Sequence, residues 1–441
     1  MSELRCDTLI EARWILPVTP DQPCLENHAV AVTNGRIAGI RPIEEAQQAF
    51  RADVTVTRPD HVVLPGFVNT HTHAAMTLLR GFADDMPLES WLRDRIWPTE
   101  KRWVGAEMVR DGTRHAIVEM MKCGVTCFSD QYFFPETVAD VADEMQIRAD
   151  VATPVIDFPT AWSANGEDCL KKAADLVHDA YADHPRITTC FAPHSTDVLS
   201  DDTFSALRVL ADQLDRRVQI HLHETAAEVE KAVAETGERP LARLARLGFL
   251  NGSLLAVHAV HLLDDEMAAM AEAGVSVAHC PRSNLKLASG LARVHAMLSA
   301  GVNVALGTDG AASNNALDML GELRAAALLA KGVAGDATAL NAHQALRMGT
   351  IDGARALGLH DEIGSLEDDK AADVICIDLS HPRSQPLYDP ASQVVYTCAA
   401  SQVSDVWVAG RHLIDDGRPT LVDEQEVIAR SQEWQRRIGT A

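Results

Sequence analysis

The chain has 441 residues, 47% of them hydrophobic, which is ample for one large core and a smaller second unit. Its 39 Lys and Arg stand against 63 Asp and Glu, a formal net charge of −24 that argues against nucleic acid or an anionic membrane as partner. No apolar run reaches the roughly 18 residues of a membrane span, and MSELRCDTLI lacks the basic and apolar regions of a secretory leader. Nine cysteines are dispersed without a CxxC pair, a pattern of reduced thiols that points to the cytoplasm.

The first sixty or so residues read as short strands and turns. Asp7 to Leu16 is strand-like, Ala29 to Val32 is a strand, Asn34-Gly35 is a hairpin turn, and Arg36 to Ile40 returns. From Val62 to about Gly364 the rhythm changes to apolar strands alternating with Ala-, Leu- and Glu-rich helical stretches. Eight strand candidates appear in order: VVLPGFVNTH, VTCFSD, ADVATPVID, ITTCFAPHS, VQIHLHE, LLAVHAV, VSVAHCP and VNVALGTDG. Eight such units predict an α/β fold, a (β/α)₈ TIM barrel over residues 62–364. A doubly wound sheet competes, but no dinucleotide Gly-rich fingerprint is present. After Gly364 the strand pattern returns at Asp373 to Ile377, at Val394-Val395-Tyr396, and from Val403 to Leu413 with a turn at Ala409-Gly410. Residues 1–61 and 365–441 are therefore expected to form one small β-sandwich built from both termini.

The chemistry concentrates at strand ends. His71-Thr72-His73 closes the first barrel strand, and residues two apart on a strand share a face, so both imidazoles can reach one metal ion. Taken alone, the pair could be two polar residues at a strand end. His221, His258 and Asp309 fall at the ends of later apolar runs, in an order that suits one metal site shared by several strands. His221 and His223 share a face, so either could be a ligand. Glu224 follows at the barrel mouth, where a carboxylate beside metal-activated water is a candidate proton carrier. Its plainer reading is the cap or first-turn acid of the helix TAAEVEKAVAE. His258 could equally be a satisfied core histidine, and Thr308-Asp309-Gly310 an ordinary turn. Trp91, Trp97 and Trp103 could wall a ring or simply pack. Ser283-Asn284-Leu285-Lys286, after the seventh strand, reads as an active-site loop.

These residues together resemble the amidohydrolase superfamily, and the resemblance covers nearly the whole chain. It implies His71, His73, His221 and Asp309 as metal ligands. The fourth strand, ITTCFAPHS, lacks the lysine that bridges two metals in binuclear members, which implies one divalent ion per chain. Zinc is the expected ion, with iron and manganese compatible with the same ligands. The strings PGFVNTHTHAAMTLLRGFADDMPLESWL, APHS, HLHET, AHCPRSNLKLASG and GTDGAASNNALDML look like the 5′-methylthioadenosine/S-adenosylhomocysteine deaminase family. The s-triazine chlorohydrolases and aminohydrolases carry very similar strings and are the alternative.

By this resemblance the substrate is a purine nucleoside and the reaction hydrolytic deamination. Glu224 delivers a proton to the ring nitrogen, Asp309 accepts the proton of water, and His258 orients that water. Glu100 accepts ribose hydroxyls, its plainer reading being a surface helix residue, and His194 is a second substrate contact. The loop after the third strand, Phe158 to Cys169, has no arginine to pair with an amino-acid carboxylate, which favours methylthioadenosine over adenosylhomocysteine. A homo-oligomer, dimer or tetramer, is also implied. A non-catalytic scaffold on the same barrel would be expected to have lost ligands that are all present here. The H-x-E and P-C-x-x-C pattern of the cytidine-deaminase fold is absent.

Overall fold

The structure, a computed structural model, describes residues 4–19 and 24–439. The first and last residues of the expected terminal unit, and the start of the N-terminal string, lie outside the described residues. Four strands open the chain: β1 (Leu4–Ile15), β2 (Leu25–Thr33), β3 (Arg36–Pro42) and β4 (Phe50–Pro65). Eight follow: β5 (Phe67–Thr72), β6 (Val125–Gln131), β7 (Arg148–Val155), β8 (Ile187–Pro193), β9 (Val218–Leu222), β10 (Leu254–His258), β11 (Ser276–His279) and β12 (Asn303–Leu306). Four more close it: β13 (Val374–Asp378), β14 (Val403–Val408), β15 (Arg411–Asp415) and β16 (Arg418–Pro419).

Strands β5 to β12 pair in sequence order and in parallel, with helices between them, as a (β/α)₈ barrel requires. The other eight form one separate sheet in the order β16-β15-β14-β13-β4-β1-β2-β3, drawn from both ends of the chain. Among the described residues no helix is long and apolar enough to cross a membrane.

The run Val62 to Val68, read from sequence as one strand of the barrel, divides at Gly66. Val62 to Pro65 pair with β13 in the terminal sheet, while Phe67 onward pairs with β6. The Gly66 N–H is spent on Asp373 O at 3.0 Å, and a Cβ there would lie 2.1 Å from Thr126 Oγ1. A continuous apolar run carries no mark of which sheet each half joins. Two further expectations change. Val394-Val395-Tyr396 belongs to a helix, Pro390–Tyr396, rather than a strand. Asp389 caps it by accepting the Ala391 N–H, and Pro390 at the first position completes a helix start. Glu424–Gly439, inside the expected β-sandwich, is a helix that buries Val427, Trp434 and Ile438 and donates from Trp434 Nε1 to Asp111 Oδ2 at 2.8 Å.

The barrel closes between β12 and β5 through side chains. Thr70 Oγ1 donates to Leu306 O (2.8 Å), Asn69 Nδ2 to Thr308 Oγ1 (2.8 Å), and the Thr308 N–H to Asn69 Oδ1 (2.9 Å). The Asp309 N–H then reaches His71 O at 3.0 Å. Gly307 permits this seam: a Cβ there would stand 2.9 Å from His71 N and 3.0 Å from His71 Cβ and O. Backbone atoms at that distance cannot rotate aside. Gly307→Ala is therefore expected to destabilise by about 1–3 kcal/mol, as overpacking does, and to weaken metal retention through His71. Thermal melts with elemental analysis check both.

Candidate metal and acid site

Three imidazoles and one carboxylate converge at the C-terminal mouth of the barrel. His71 and His73 come from the end of β5, His221 from β9, and Asp309 from the turn after β12. The coordinating atoms of His71, His73 and His221 lie within 4.8 Å of one another. His221 Nε2 is 3.2 Å from His71 Nε2, and Asp309 Oδ1 is 3.4 Å and 3.3 Å from Nε2 of His71 and His73.

The hydrogen bonds behind these atoms settle what faces inward. His73 Nδ1 lies 2.6 Å from Gln131 O, and His221 Nδ1 2.7 Å from His194 O. A carbonyl only accepts, so each Nδ1 carries a hydrogen and leaves Nε2 as the nitrogen turned inward, the one that can give a lone pair to a cation in place of a proton. Two such lone pairs, His71 and a carboxylate oxygen all point at one place, an acceptor set that suits a cation. Electrostatics agree. Burial lowers His71 to about 4, and it also opposes charge on His73, but the Asp309 carboxylate outweighs it there and raises that imidazole to about 9. Burial works against the Asp309 charge too, yet the His71 and His73 contacts hold its carboxyl well below the usual range. Positive charge is drawn to the point between these groups, and the three imidazoles there could hold a metal ion.

His223, the open alternative to His221, turns away. It sits at φ 52°, accepts the Leu241 N–H on Nε2 at 3.2 Å, and lies 3.6 Å from Glu266. His258 and Asp309 are also left-handed, at φ 72° and 59°, so three strand ends hold residues in a conformation unfavourable outside glycine. Asp309 is tied down for it. Its Oδ2 accepts the hydroxyls of Ser283 (2.6 Å) and Ser313 (2.7 Å), and Oδ1 accepts the Gly310 N–H (2.8 Å). The two serines thus hold Oδ2 from behind, and Oδ1, beside His71 and His73, is the oxygen turned to the centre of the site.

Glu224 is not the helix cap. Thr225 takes that role, its Oγ1 accepting the Glu228 N–H at 3.1 Å. The Glu228 carboxylate reaches back to the N–H of Glu224 (2.7 Å) and of His223 (3.3 Å). The Glu224 side chain lies in the cavity instead, accepting from Ser289 Oγ at 3.1 Å, with Oε2 3.8 Å from His258 Nε2. Burial raises its carboxyl above the ordinary value, the direction a proton donor needs. His258 stacks on His221 with centroids 5.5 Å apart and places Nδ1 2.9 Å from Asn284 Oδ1.

A cavity of about 490 Å³, lined mainly by apolar side chains, opens above these groups. Its roof is the segment after β5, which bears Trp91, Trp97 and Glu100. Trp103 points elsewhere, edge-on to Trp434 at 6.4 Å. Glu100 accepts from Tyr132 Oη at 2.8 Å, and burial pushes its carboxyl up to about 7 against that donation. His194 also lines the cavity, its ring 4.7 Å from His221 and its pKa lowered by burial to about 4. Sequence reasoning missed Tyr132, Ser313 and Glu228. Only Glu228 had a local signal, the Thr-x-x-Glu capping box.

A family model described as the amidohydrolase family matches residues 62–413. A 5-methylthioadenosine/S-adenosylhomocysteine deaminase of Teredinibacter turnerae is 46% identical over 433 residues, covering 98% of each chain. A 5′-deoxyadenosine deaminase of Methanopyrus kandleri is 38% identical over 95% of this chain and 96% of its own. A crystal structure of an adenosine deaminase from Xanthomonas campestris with bound zinc is 49% identical, covers 100% of both chains and has a TM-score of 0.98. The barrel and the polar cluster at its mouth define a metal-dependent hydrolase, and the chain belongs to the amidohydrolase family.

Replacing one imidazole at a time should separate His221, on β9, from His223 just beyond it. His221→Ala is expected to strip bound divalent metal, and His223→Ala to leave it in place on the folded chain. Elemental analysis of the two purified variants reads the difference, and equal metal loss in both would contradict the assignment.

Proposed function

We propose that this chain hydrolytically deaminates the adenine ring of small nucleosides, with 5′-methylthioadenosine the preferred substrate. The observation that carries the reading is the convergence on one cavity of Glu224, whose carboxyl burial raises, Asp309, whose carboxyl the imidazoles hold low, and Glu100. The names of the similar proteins support the same class of substrate. His71, His73, His221 and Asp309 would hold one divalent ion, most simply zinc. When bound, that ion supplies Lewis acidity, which brings the ionisation of water toward neutral pH.

This chain's own groups do the rest. Glu224 donates its proton to the ring nitrogen beside the amine-bearing carbon, making that carbon electrophilic. His258, next to Glu224, orients the attacking water. Asp309 accepts that water's proton and passes it to the amine as it leaves as ammonia, and the proton left on the new hydroxyl returns to the Glu224 carboxylate as the carbonyl forms. Glu100 accepts a vicinal hydroxyl pair of the ribose, with Tyr132 holding its other side, and His194 contacts the sugar. The apolar lining excludes bulk water and strengthens each of these interactions.

A charged 5′ tail would meet cations already engaged. Arg93 at the cavity mouth is bound to Asp94 (2.7 Å), and Lys231 to Asp197 (3.2 Å). Methylthioadenosine therefore matches or exceeds adenosylhomocysteine, which must desolvate a zwitterion there. A triazine would leave Glu100 without its hydroxyl pair, which favours a nucleoside. The nine free cysteines fit a cytoplasmic enzyme, and the working assembly is taken to be a dimer or tetramer.

Glu224→Gln keeps the shape and removes the acid, so kcat should fall by roughly 10²–10⁴-fold with metal retained. Steady-state ammonia release and metal analysis test it, and an unchanged kcat would reassign the proton donor. The pH dependence follows from Glu100. As pH falls through about 7 its carboxyl takes up a proton and can no longer accept both hydroxyls. KM for methylthioadenosine should therefore rise between pH 8 and pH 6. Glu100→Gln should raise KM at pH 8 and flatten that dependence. If free adenine or a triazine is the better substrate of the unmodified enzyme, the nucleoside assignment is wrong while the hydrolytic site stands.

A further inference from the structure

One motif remains outside the reaction as described: Ser283-Asn284-Leu285-Lys286, in the short helix Pro281–Lys286 after β11. Its consecutive residues reach two different catalytic groups. Ser283 Oγ donates to Asp309 Oδ2 at 2.6 Å, and Asn284 Oδ1 lies 2.9 Å from His258 Nδ1. Both side chains are buried, Asn284 at 2% exposure. The helix is anchored at either end. Glu322 accepts the Arg282 N–H at 3.2 Å, and Lys286 Nζ donates to Asp84 Oδ1 (2.7 Å) and Ala312 O (3.0 Å).

We infer that Asn284 is a positioning residue that fixes the tautomer of His258. The inference rests on the hydrolytic reading of the site given above. An amide oxygen accepts and cannot donate. Facing it, His258 Nδ1 carries the hydrogen, and Nε2 turns its lone pair to the cavity beside Glu224. In that tautomer Nε2 accepts a hydrogen from the attacking water and aims an oxygen lone pair at the ring carbon. In the other tautomer Nε2–H would donate to the Glu224 carboxylate and compete for the acid.

What holds the amide in this orientation lies on its far side. Asn284 Nδ2 and His279 Nδ1 are both buried without a protein partner. Both residues line a cavity of about 10 Å³, the size that accommodates a single water. Such a water could accept from Nδ2 and donate to His279, whose neutral form burial favours by lowering its pKa to about 3. The order His279, water, Asn284, His258 then runs from the barrel wall to the cavity.

The test compares Asn284→Leu, which keeps the volume and removes the acceptor, with Asn284→Asp, which keeps an acceptor at the same place. Asn284→Leu is expected to lower kcat by roughly 10- to 100-fold, the usual effect of removing a supporting hydrogen bond behind a metal site. KM and metal content should stay within a few-fold, and Asn284→Asp should recover most of the loss. Two-bond ¹H–¹⁵N spectra of the histidine-labelled enzyme give a readout independent of turnover. His258 should show Nδ1–H in the parent enzyme and Nε2–H or a mixture in Asn284→Leu. Nε2–H in the parent overturns the proposal even if no variant folds, and so does an Asn284→Leu kcat within twofold of the parent. Failure of the parent to release ammonia from any adenine nucleoside would count against the substrate reading, while the spectra still decide the role of Asn284.

Discussion

A carboxylate buried among three imidazoles at the closing seam of a barrel is the constraint on which this structure turns. Burying the Asp309 charge without compensation would be prohibitive. The chain compensates with the Gly310 N–H, two serine hydroxyls and the surrounding nitrogens. Each donor imposes a further requirement. Ser283 needs the helix after β11, and Ser313 needs the turn after β12. That turn is pinned in its own right, because Asn314 Nδ2 donates to Thr308 O (2.6 Å) and to Glu322 Oε1 (2.7 Å). The fully buried Glu322 in turn takes the Arg282 N–H, so two neighbouring βα connections share one carboxylate.

The acids of the cavity end on opposite sides of the ordinary carboxyl value, although burial pushes all three upward. Glu224 and Glu100 have few compensating donors, and burial raises them. Asp309 has the His71 and His73 imidazoles beside it, and they hold its carboxyl well below the usual range against burial. Titratable groups whose environments drive their pKa values apart are what separates a proton donor from a proton acceptor within one site. The assignment of Glu224 as donor and Asp309 as acceptor therefore rests on hydrogen-bond supply rather than residue type.

Much of this was legible in the sequence where the signal is local. The eight barrel strands, the hairpins at Asn34-Gly35 and Ala409-Gly410, and the strand-end positions of His71, His73, His221, His258 and Asp309 follow from periodicity and turn residues. What could not be read depends on the third dimension. HLHE puts His221 and His223 on one face, and only the left-handed turn at His223 sends the second toward Leu241. Tyr132 meets Glu100 across 32 residues of chain, and Ser283 meets Asp309 across 26, distances over which no sequence period operates. The helix at 424–439 was masked by its polar composition, although Val427, Trp434 and Ile438 recur at helical spacing.

The terminal sheet, remote from the chemistry, bears on it through one strand. β4 crosses at Gly66 directly into β5, so the backbone that presents His71 and His73 is held from behind by β1 and β13. A second tie runs beside it. Arg148 at the start of β7 forms a fork with Asp373, 3.2 Å for each pair, just ahead of β13. Both groups are almost fully buried, so neither can lose its partner without leaving an uncompensated charge. The sheet and the barrel are thus fastened at the base of the first and third barrel strands. The seam between β12 and β5 closes by side-chain bonds rather than a full ladder, and a first strand free to shift would open there. Anchoring β5 from outside the barrel is how a closure with so few backbone bonds can still hold His71 within 3.4 Å of Asp309.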